Sequence, residues 1–244
     1  MGKKINPKIF RIKSILKWES SWFADKDYSK FLQQDVKIRA FLKKHLLEAF
    51  VSRIEIERSS KELNVIIHSA RPGVVIGKSG AGVEILKKTI SRQFVKDKNV
   101  KVSVNIKEIG KPNIEAALIA QGLKFDIEKR MPYRRAMKQV IQRVERAGAK
   151  GVKVIVAGRL NGAEIARREM LVSGTIPLHT IRANIDYAEE KANTTYGTIG
   201  IKVWIYKGDV FKKTAKEEME ETMKNKDEVN KSEKRGKVNS VEKA

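Results

Sequence analysis

The fold of this 244-residue chain is decided by a glycine-rich stretch, Val75-Ile76-Gly77-Lys78-Ser79-Gly80-Ala81-Gly82-Val83-Glu84-Ile85-Leu86. Gly77 and Gly80 let the backbone turn tightly and approach another molecule closely. The apolar spacing in the second half of the stretch predicts a helix directly after the turn. The N–H groups and the positive dipole end of such a helix attract a phosphate, and Lys78 adds a positive charge.

Two nucleotide-binding patterns do not fit this stretch. A P-loop has four residues between its first glycine and the Gly-Lys-Ser, whereas three residues separate Gly73 from Gly77. The dinucleotide fingerprint G-x-G-x-x-G is absent. The pattern that matches is the I-G-x-x-G loop of a KH domain, which clamps an RNA backbone; a plain glycine turn before a helix is the structural alternative. The KH interpretation makes Gly77, Lys78, Ser79 and Gly80 the RNA-binding loop.

The neighbouring segments favour the KH domain over a plain turn. Apolar residues at helical spacing predict a helix that begins near Asp27 or Ser29. Alternating apolar residues predict strands over 52–57, 63–68 and 100–106. The resulting α-β-β-α-α-β-like order is that of a type II KH domain, which we expect to occupy residues 17–110.

Residues 111–211 are expected to form a second α+β domain. Pro112 disfavours helix in the residue before it, and Pro132 separates two predicted helices, 114–130 and 133–147. Asn161-Gly162 predicts a hairpin turn. Alternation predicts strands around 152–156, 163–172, 180–187 and 199–206. We therefore expect two helices packed on a four-stranded, mostly antiparallel sheet.

The helix predicted over 133–147 has an apolar stripe and a basic arc. The apolar side chains share one helix face, and they are Met137, Val140, Ile141 and Val144. The opposite arc consists of Arg134, Arg135, Lys138, Gln142 and Arg146. Only Glu145 interrupts its positive sign, and solvated helix faces usually mix charges. Contact with RNA phosphates is therefore preferred over a merely solvated face.

The distribution of charge indicates a polyanionic partner for the folded part of the chain. The formal net charge is +23, and bound phosphates release counterions when Lys and Arg neutralise them. Residues 1–16 form a basic arm. Residues 212–244 contain ten Lys/Arg and eight Asp/Glu with few apolar residues, so we expect a disordered charged tail. Nearly all of the net charge thus belongs to residues 1–211.

Several classes of function are not supported by the sequence. The chain has no cysteine, and its three histidines are scattered without ligand spacing. No stretch is apolar for long enough to span a membrane, and no nucleophile elbow or metal-ligand pattern occurs. We expect a cytoplasmic protein that is not an enzyme and that has no metal, no cofactor, no small-molecule substrate and no membrane partner.

Five segments together resemble the ribosomal protein S-three family of the small subunit, in its bacterial type. They are Ser69–Lys78, Tyr133–Lys138, Gly158–Arg168, Pro177–Ala183 and Thr194–Ile205. The resemblance covers residues 1–211 in order. It implies a structural constituent of the head of the small ribosomal subunit that binds ribosomal RNA. The alternative is a free KH-type RNA-binding regulator outside the ribosome.

The resemblance also implies partners and residue roles. It places the protein beside ribosomal proteins S-ten and S-fourteen, and near S-four and S-five at the mRNA entry channel. There it would position mRNA and assist its unwinding, with the matching basic residues Arg134, Arg135 and Lys138 in contact with mRNA. The candidates for contact with ribosomal RNA are Lys3, Lys4, Arg11, Arg159, Arg167 and Arg168.

Overall fold

A computed structural model of the chain describes residues 4–59, 61–95 and 100–211. The described residues up to Asp209 form one compact unit, which does not include Val210 and Phe211. Lys3 and the tail predicted over 212–244 lie outside the described residues. The boundaries given above for the arm, the two domains and the tail stay predictions.

The N-terminal half has the element order of a type II KH domain, preceded by a short helix and a short strand. Its elements are α1 (Pro7–Phe10), β1 (Ser20–Ser21), α2 (Tyr28–His45), β2 (Val51–Arg58), β3 (Glu62–Ser69), α3 (Pro72–Ile76), α4 (Ala81–Gln93) and β4 (Lys101–Glu108). The four strands form one sheet in the order β1-β2-β3-β4. Strands β2 and β3 are antiparallel, whereas β1 with β2 and β3 with β4 are parallel. The predicted α-β-β-α-α-β order is confirmed from α2 to β4.

Part of the glycine-rich stretch is helical. Helix α3 begins at Pro72, whose fixed φ suits the first turn of a helix. It ends where Gly77 adopts a positive φ of 69° and donates its N–H to the carbonyl of Gly73 at 3.0 Å. A 3-10 turn, Lys78–Gly80, then leads into α4. The loop that carries the candidate RNA contacts is therefore a short link between two helices.

The C-terminal half is a two-helix layer on a four-stranded sheet. It contains α5 (Ala116–Glu128), α6 (Tyr133–Arg146), β5 (Gly151–Gly158), β6 (Arg167–Gly174), β7 (Ala183–Thr194) and β8 (Gly197–Asp209). A 3-10 turn, Pro112–Ile114, precedes α5. The strand order is β6-β5-β8-β7, and every neighbouring pair is antiparallel. The predicted α+β class and the antiparallel sheet are confirmed.

The turn predicted at Asn161-Gly162 is not a tight two-residue hairpin. Both residues have positive φ, 55° and 78°, but they lie in a 3-10 turn, Leu160–Gly162, within a longer connection. The last paired residues of β5 and β6 are Gly158 and Arg167. The strand predicted over 163–172 is correspondingly displaced to Arg167–Gly174, because local turn chemistry does not fix where strand pairing begins.

Each sheet has its own hydrophobic core. In the C-terminal core, Met137, Val140 and Val144 of α6 are buried against β5 and β8 together with residues of α5. Ile141 is only partly buried at the edge of this core. The predicted apolar stripe of α6 is thus confirmed. It fixes the rotation of the helix and turns the basic arc outward.

Hydrogen bonds join the two halves of the chain. The Gln121 side chain on α5 donates to the Val51 carbonyl at 2.8 Å. The Ser52 hydroxyl donates to the Glu115 carboxylate at 3.1 Å, and Lys207 contacts the same carboxylate at 2.6 Å. These contacts attach the KH sheet to the start of α5 within one compact unit.

Candidate nucleic-acid interface

The KH loop is exposed and held in left-handed conformations. Ser79 has φ 51° and ψ 26°, and Gly80 has φ 83° and ψ 0°. Gly80 caps α4 without a side-chain hydrogen bond, and the Ala81 N–H donates to the Lys78 carbonyl. The next N–H groups of the first turn have no partner within the helix, as at any helix N-terminus. The exposed Lys78 side chain has no hydrogen-bond or ion-pair partner among the described residues. The loop can therefore offer backbone donors and one positive charge to a phosphate.

Gly82 is a structural residue of this loop that the I-G-x-x-G pattern does not contain. A Cβ at this position would lie 2.5 Å from the Val75 carbonyl oxygen and 2.9 Å from the Ile76 carbonyl oxygen. Helix α4 can approach α3 this closely only because residue 82 has no side chain. The repeated glycine at the start of α4 was the only sequence signal for this close approach.

The basic arc of α6 forms an exposed ridge. We use the name α6 ridge for Arg134, Arg135 and Lys138, which are all exposed. Arg135 and Lys138 have no side-chain partner among the residues that the structure describes. Two of the three predicted mRNA contacts are thus free cations on an oriented helix.

Arg134 differs from its two neighbours because it is paired. Its Nε and Nη2 lie 3.2 and 2.9 Å from the two carboxylate oxygens of Glu169 on β6. The Tyr133 hydroxyl donates to the same carboxylate at 2.6 Å. The hydrogen bonds from Arg134 and Tyr133 lower the pKa of Glu169, and the bond to Glu169 raises the pKa of Arg134. The ridge therefore contains one arginine of fixed orientation and two cations without a side-chain partner among the described residues.

The single acidic residue of the predicted arc, Glu145, is hydrogen-bonded to β6. Glu145 accepts a hydrogen bond from the Ser173 hydroxyl on β6. Its carboxylate thus lies on the side of α6 that faces β6, as does the carboxylate bound by Arg134. Arg135, Lys138, Gln142 and Arg146 of the arc are all exposed.

The two adjacent arginines of β6 belong to opposite faces of the sheet, since side chains alternate along a strand. Arg167 lies two residues from Glu169 on β6 and so shares its face, the α6 side, where it contributes to lowering the pKa of Glu169. On the other face, burial lowers the pKa of Lys153, and the nearby Lys4 and Arg168 lower it further. Lys4 and Arg168, both predicted RNA contacts, thus lie close enough to Lys153 to lower its pKa; the sequence patterns did not single out Lys153.

Arg159 packs on an aromatic ring near the β5–β6 connection. Its guanidinium lies 5.7 Å from the ring centre of Tyr196, and its Nε donates to the Ala163 carbonyl at 3.0 Å. Both Arg159 and Tyr196 are exposed. The pair presents a cation and an aromatic ring at one end of the sheet.

Arg11 is not placed to contact RNA. Its side chain is fully buried, and burial lowers its pKa. The guanidinium donates to the carbonyls of Pro7, Pro177, Leu178, Thr180 and Ala183 at 2.6 to 3.3 Å. Arg11 attaches the basic arm to the C-terminal domain. Its buried guanidinium is not available for the RNA contact that the sequence predicted.

The described residues offer neither a cluster of metal ligands nor a membrane-spanning helix. They contain no group of three or more His, Asp or Glu side chains that could hold a metal ion. Their helices include none that is long and apolar enough to cross a membrane. The described surface instead carries exposed Lys and Arg side chains on helices and strands, and these can bind phosphate groups.

The KH fold and these cations define an RNA-binding protein with a KH domain, and family comparisons agree. A model described as "KH domain" matches residues 37–114. A second, described as "Ribosomal protein S3, C-terminal domain", matches residues 123–205. Both halves of the chain are therefore assigned to known families.

The chain is similar along most of its length to curated proteins called small ribosomal subunit protein uS3. It is 50% identical over 220 residues to that of Bacillus cytotoxicus, covering 89% of this chain and 99% of the relative. For that of Desulforamulus reducens, the identity is 51% over 217 residues, covering 88% and 96%. The chain belongs to this family, the S-three or uS3 family of ribosomal proteins, which are not enzymes.

Proposed function

We propose that this protein is a structural constituent of the head of the small ribosomal subunit in the cytoplasm. In this role it binds ribosomal RNA, and it binds mRNA at the entry channel through the α6 ridge. It positions incoming mRNA and assists the opening of base-paired segments. Membership of the uS3 family supports the ribosomal location, and the α6 ridge is the observation that carries the mRNA contact.

The ridge suits an RNA strand for three physical reasons. The buried stripe of α6 fixes the helix on the sheet, so the cations move little relative to the core. The ion pair with Glu169 holds the guanidinium of Arg134 in one orientation, while Arg135 and Lys138 keep free donors. Side chains on adjacent helical turns can contact successive phosphates of one strand.

Ribosomal RNA is proposed to contact other surfaces of the chain. Lys153 and Arg168 lie on one face of the C-terminal sheet, and Lys4 lies close enough to Lys153 to lower its pKa. Arg159 and Arg167 lie near the β5–β6 connection, and Lys3, outside the described residues, is proposed from sequence alone. The KH loop, Gly77–Gly80, offers a further phosphate site. The proposed protein neighbours are S-ten and S-fourteen, with S-four and S-five nearby at the entry channel.

The ridge is tested by replacing Arg134, Arg135 and Lys138 together with alanine. Exposed charge changes typically move stability by less than about 0.5 kcal/mol, so the variant is expected to fold and assemble. It should translate unstructured messages normally and slow down on messages with a stable hairpin downstream of the start. A charge-matched control replaces Lys37, Lys43 and Lys44 of α2, which are also exposed.

Three outcomes separate the possible roles of the ridge. Slowing that is specific to hairpin messages and absent from the control supports unwinding. Equal slowing on both kinds of message removes the unwinding role. Failure of the ridge variant to enter small subunits reassigns the ridge to ribosomal RNA or to assembly.

The alternative is a free KH-type regulator outside the ribosome. Sedimentation through a sucrose gradient at high salt distinguishes the two, because weak phosphate contacts are lost as salt rises. Co-migration with small subunits supports the ribosomal role. If all of the protein sediments free of small subunits, the ribosomal role is contradicted.

A further inference from the structure

An open groove that contains none of the ridge residues lies beside the C-terminal half of α6. Its volume is about 450 Å³, and it is lined by Asn113, Gln139, Gln142, Arg143, Arg146 and Ala147. We propose that this groove binds one unpaired nucleotide of RNA, with its phosphate on the arginines and its base edge on the amides. The proposal rests on the proposed RNA-binding function but needs neither the ridge nor the KH loop.

The lining residues are chemically suited to RNA and are not occupied within the chain. Arg143 and Arg146 have no hydrogen-bond or ion-pair partner among the described residues, and no carboxylate lines the groove. The three amide side chains likewise have no hydrogen-bond partner in the described part of the chain. Open guanidinium and amide groups are thus gathered around one space.

The two arginines are not used to satisfy the end of α6. The last carbonyls of the helix accept backbone N–H groups instead: Arg143 from Ala147 at 3.2 Å, Val144 from Ala149 at 3.4 Å and Glu145 from Gly148 at 2.9 Å. A cation near a helix C-terminus commonly hydrogen-bonds such carbonyls. Because the backbone already does so here, the guanidinium groups remain available to a ligand.

The amides distinguish this groove from a generic basic surface. A primary amide both donates and accepts hydrogen bonds, which matches the mixed pattern of a nucleobase edge. A guanidinium donates only, and its planar fork suits a phosphate. The volume lies within the roughly 300–1,000 Å³ range of small-molecule sites. Base edges are accessible in single-stranded RNA and hidden in a duplex, so the preferred ligand is single-stranded.

The groove and the ridge adjoin on α6 but share no residue. Gln139 lies four residues after Arg135, roughly 6 Å along the helix axis, whereas Arg146 lies eleven residues after it. Gln139 and Arg143 are rotated away from the β6 side, where Arg134 meets Glu169. Variants in the two places can therefore be made independently.

The test measures binding of the full chain to a mixed-sequence single-stranded RNA of about 12 nucleotides, with a duplex of equal length for comparison. The Arg143→Ala/Arg146→Ala variant should weaken single-strand binding about tenfold and reduce the salt slope by roughly 1.4. The uncharged Gln139→Ala/Gln142→Ala variant should weaken it with an unchanged salt slope. Duplex binding should change little in the glutamine variant.

A charge-matched control, Lys43→Ala/Lys44→Ala, distinguishes binding at a specific site from general electrostatic attraction of RNA to the basic protein. If the control weakens binding as much as the arginine variant does, the groove is not a site. If the glutamine variant binds as the wild type does, the nucleotide is not recognised through its base edge and the proposal is overturned. Melting temperatures of all variants, expected to agree, exclude loss of folding as the cause.

The source of the RNA is identified in assembled small subunits. A photoreactive side chain in place of Gln142 is crosslinked, and the attached RNA is sequenced. Ribosomal RNA or mRNA at the crosslink supports the groove and tells the two sources apart, whereas attachment to protein alone overturns it. The hairpin-message assay on the ridge is independent of this result, so failure of the groove is distinguishable from failure of the proposed function.

Discussion

Arg134 and Glu169 form a bidentate ion pair that joins α6 to the edge strand β6. The Nε–Oε2 and Nη2–Oε1 distances are 3.2 and 2.9 Å, and the residues lie 35 positions apart in the sequence. The same carboxylate accepts the Tyr133 hydroxyl. One acidic residue therefore both orients and partly neutralises the proposed mRNA-binding ridge.

Removing the charge of Glu169 should strengthen RNA binding. Glu169→Gln frees Arg134 from its ion pair and removes a negative charge beside the ridge, while the amide oxygen can still accept from Tyr133. We expect tighter binding of single-stranded RNA and a steeper dependence on salt, measured by fluorescence anisotropy. Glu62→Gln, an exposed change on β3, is the control. An equal gain in both variants would show a general charge effect and contradict a local role.

Adding a methyl group at Gly82 should destabilise the KH domain. The new Cβ would meet the Val75 carbonyl oxygen at 2.5 Å, so α3 and α4 would have to separate. Overpacking of this kind costs about 1–3 kcal/mol, measurable as a lower midpoint of chemical denaturation. Gly73→Ala is the matched control, because its Cβ meets nothing within 4 Å. Equal midpoints for the two variants would contradict the close approach of the helices.

The buried Asp186 should make stability depend on acid pH. Burial raises its pKa, but Lys8 at 2.9 Å, Lys207 at 3.7 Å and the Ala116 N–H at 2.8 Å outweigh burial and hold the pKa below its ordinary 3.8. A carboxylate with a lowered folded-state pKa stabilises the fold above its unfolded pKa of about 3.9, and this contribution is lost as the pH falls through the folded pKa.

Asp186→Asn is therefore expected to lower the free energy of unfolding at neutral pH by on the order of 1–3 kcal/mol. The difference from the wild type should shrink as the pH falls below about 4, and denaturation curves at neutral and acid pH measure it. Asp25→Asn, an exposed change, should leave the curves unaltered. A difference that stays constant down to acid pH would show that the charge of Asp186 does not stabilise the fold.

Replacing Arg11 by lysine should destabilise the fold although the charge is kept. Lysine cannot supply the planar fork that serves five carbonyl groups, and each buried carbonyl left without a donor costs about 1–3 kcal/mol. We expect a loss of roughly 3 kcal/mol or more in chemical denaturation. Arg92→Lys, an exposed change on α4, should cost less than about 0.5 kcal/mol. Similar small losses in both variants would contradict a structural role for Arg11.

Local sequence patterns predicted most of the elements because their causes are local. The spacing of Met137, Val140 and Val144 indicated one buried face of α6, and burial against the sheet confirms it. The I-G-x-x-G pattern indicated a glycine loop before a helix, and positive φ at Gly77 and Gly80 is consistent with it. In both cases residues within a few positions of one another set the backbone conformation.

Patterns failed where a distant segment decided the outcome. Asn161-Gly162 has the backbone of a turn, but the pairing of β5 with β6 begins outside it, at Gly158 and Arg167. Arg143 lines the groove beside α6, although the arc drawn from periodicity omitted it. The groove also needs Asn113, which precedes α5 and meets α6 only in the folded chain.

The sequence by itself determined the class of protein, the order of the elements and the outward direction of the α6 ridge. These follow from charge, hydrophobic period and glycine placement, which act over one or two turns of chain. Only the tertiary structure decided which cations are free. It buried Arg11 among the carbonyls of the 177–183 segment and paired Arg134 with Glu169. The physical reason is that the availability of a charge depends on partners distant in sequence, which meet only when the sheet and its helices have packed.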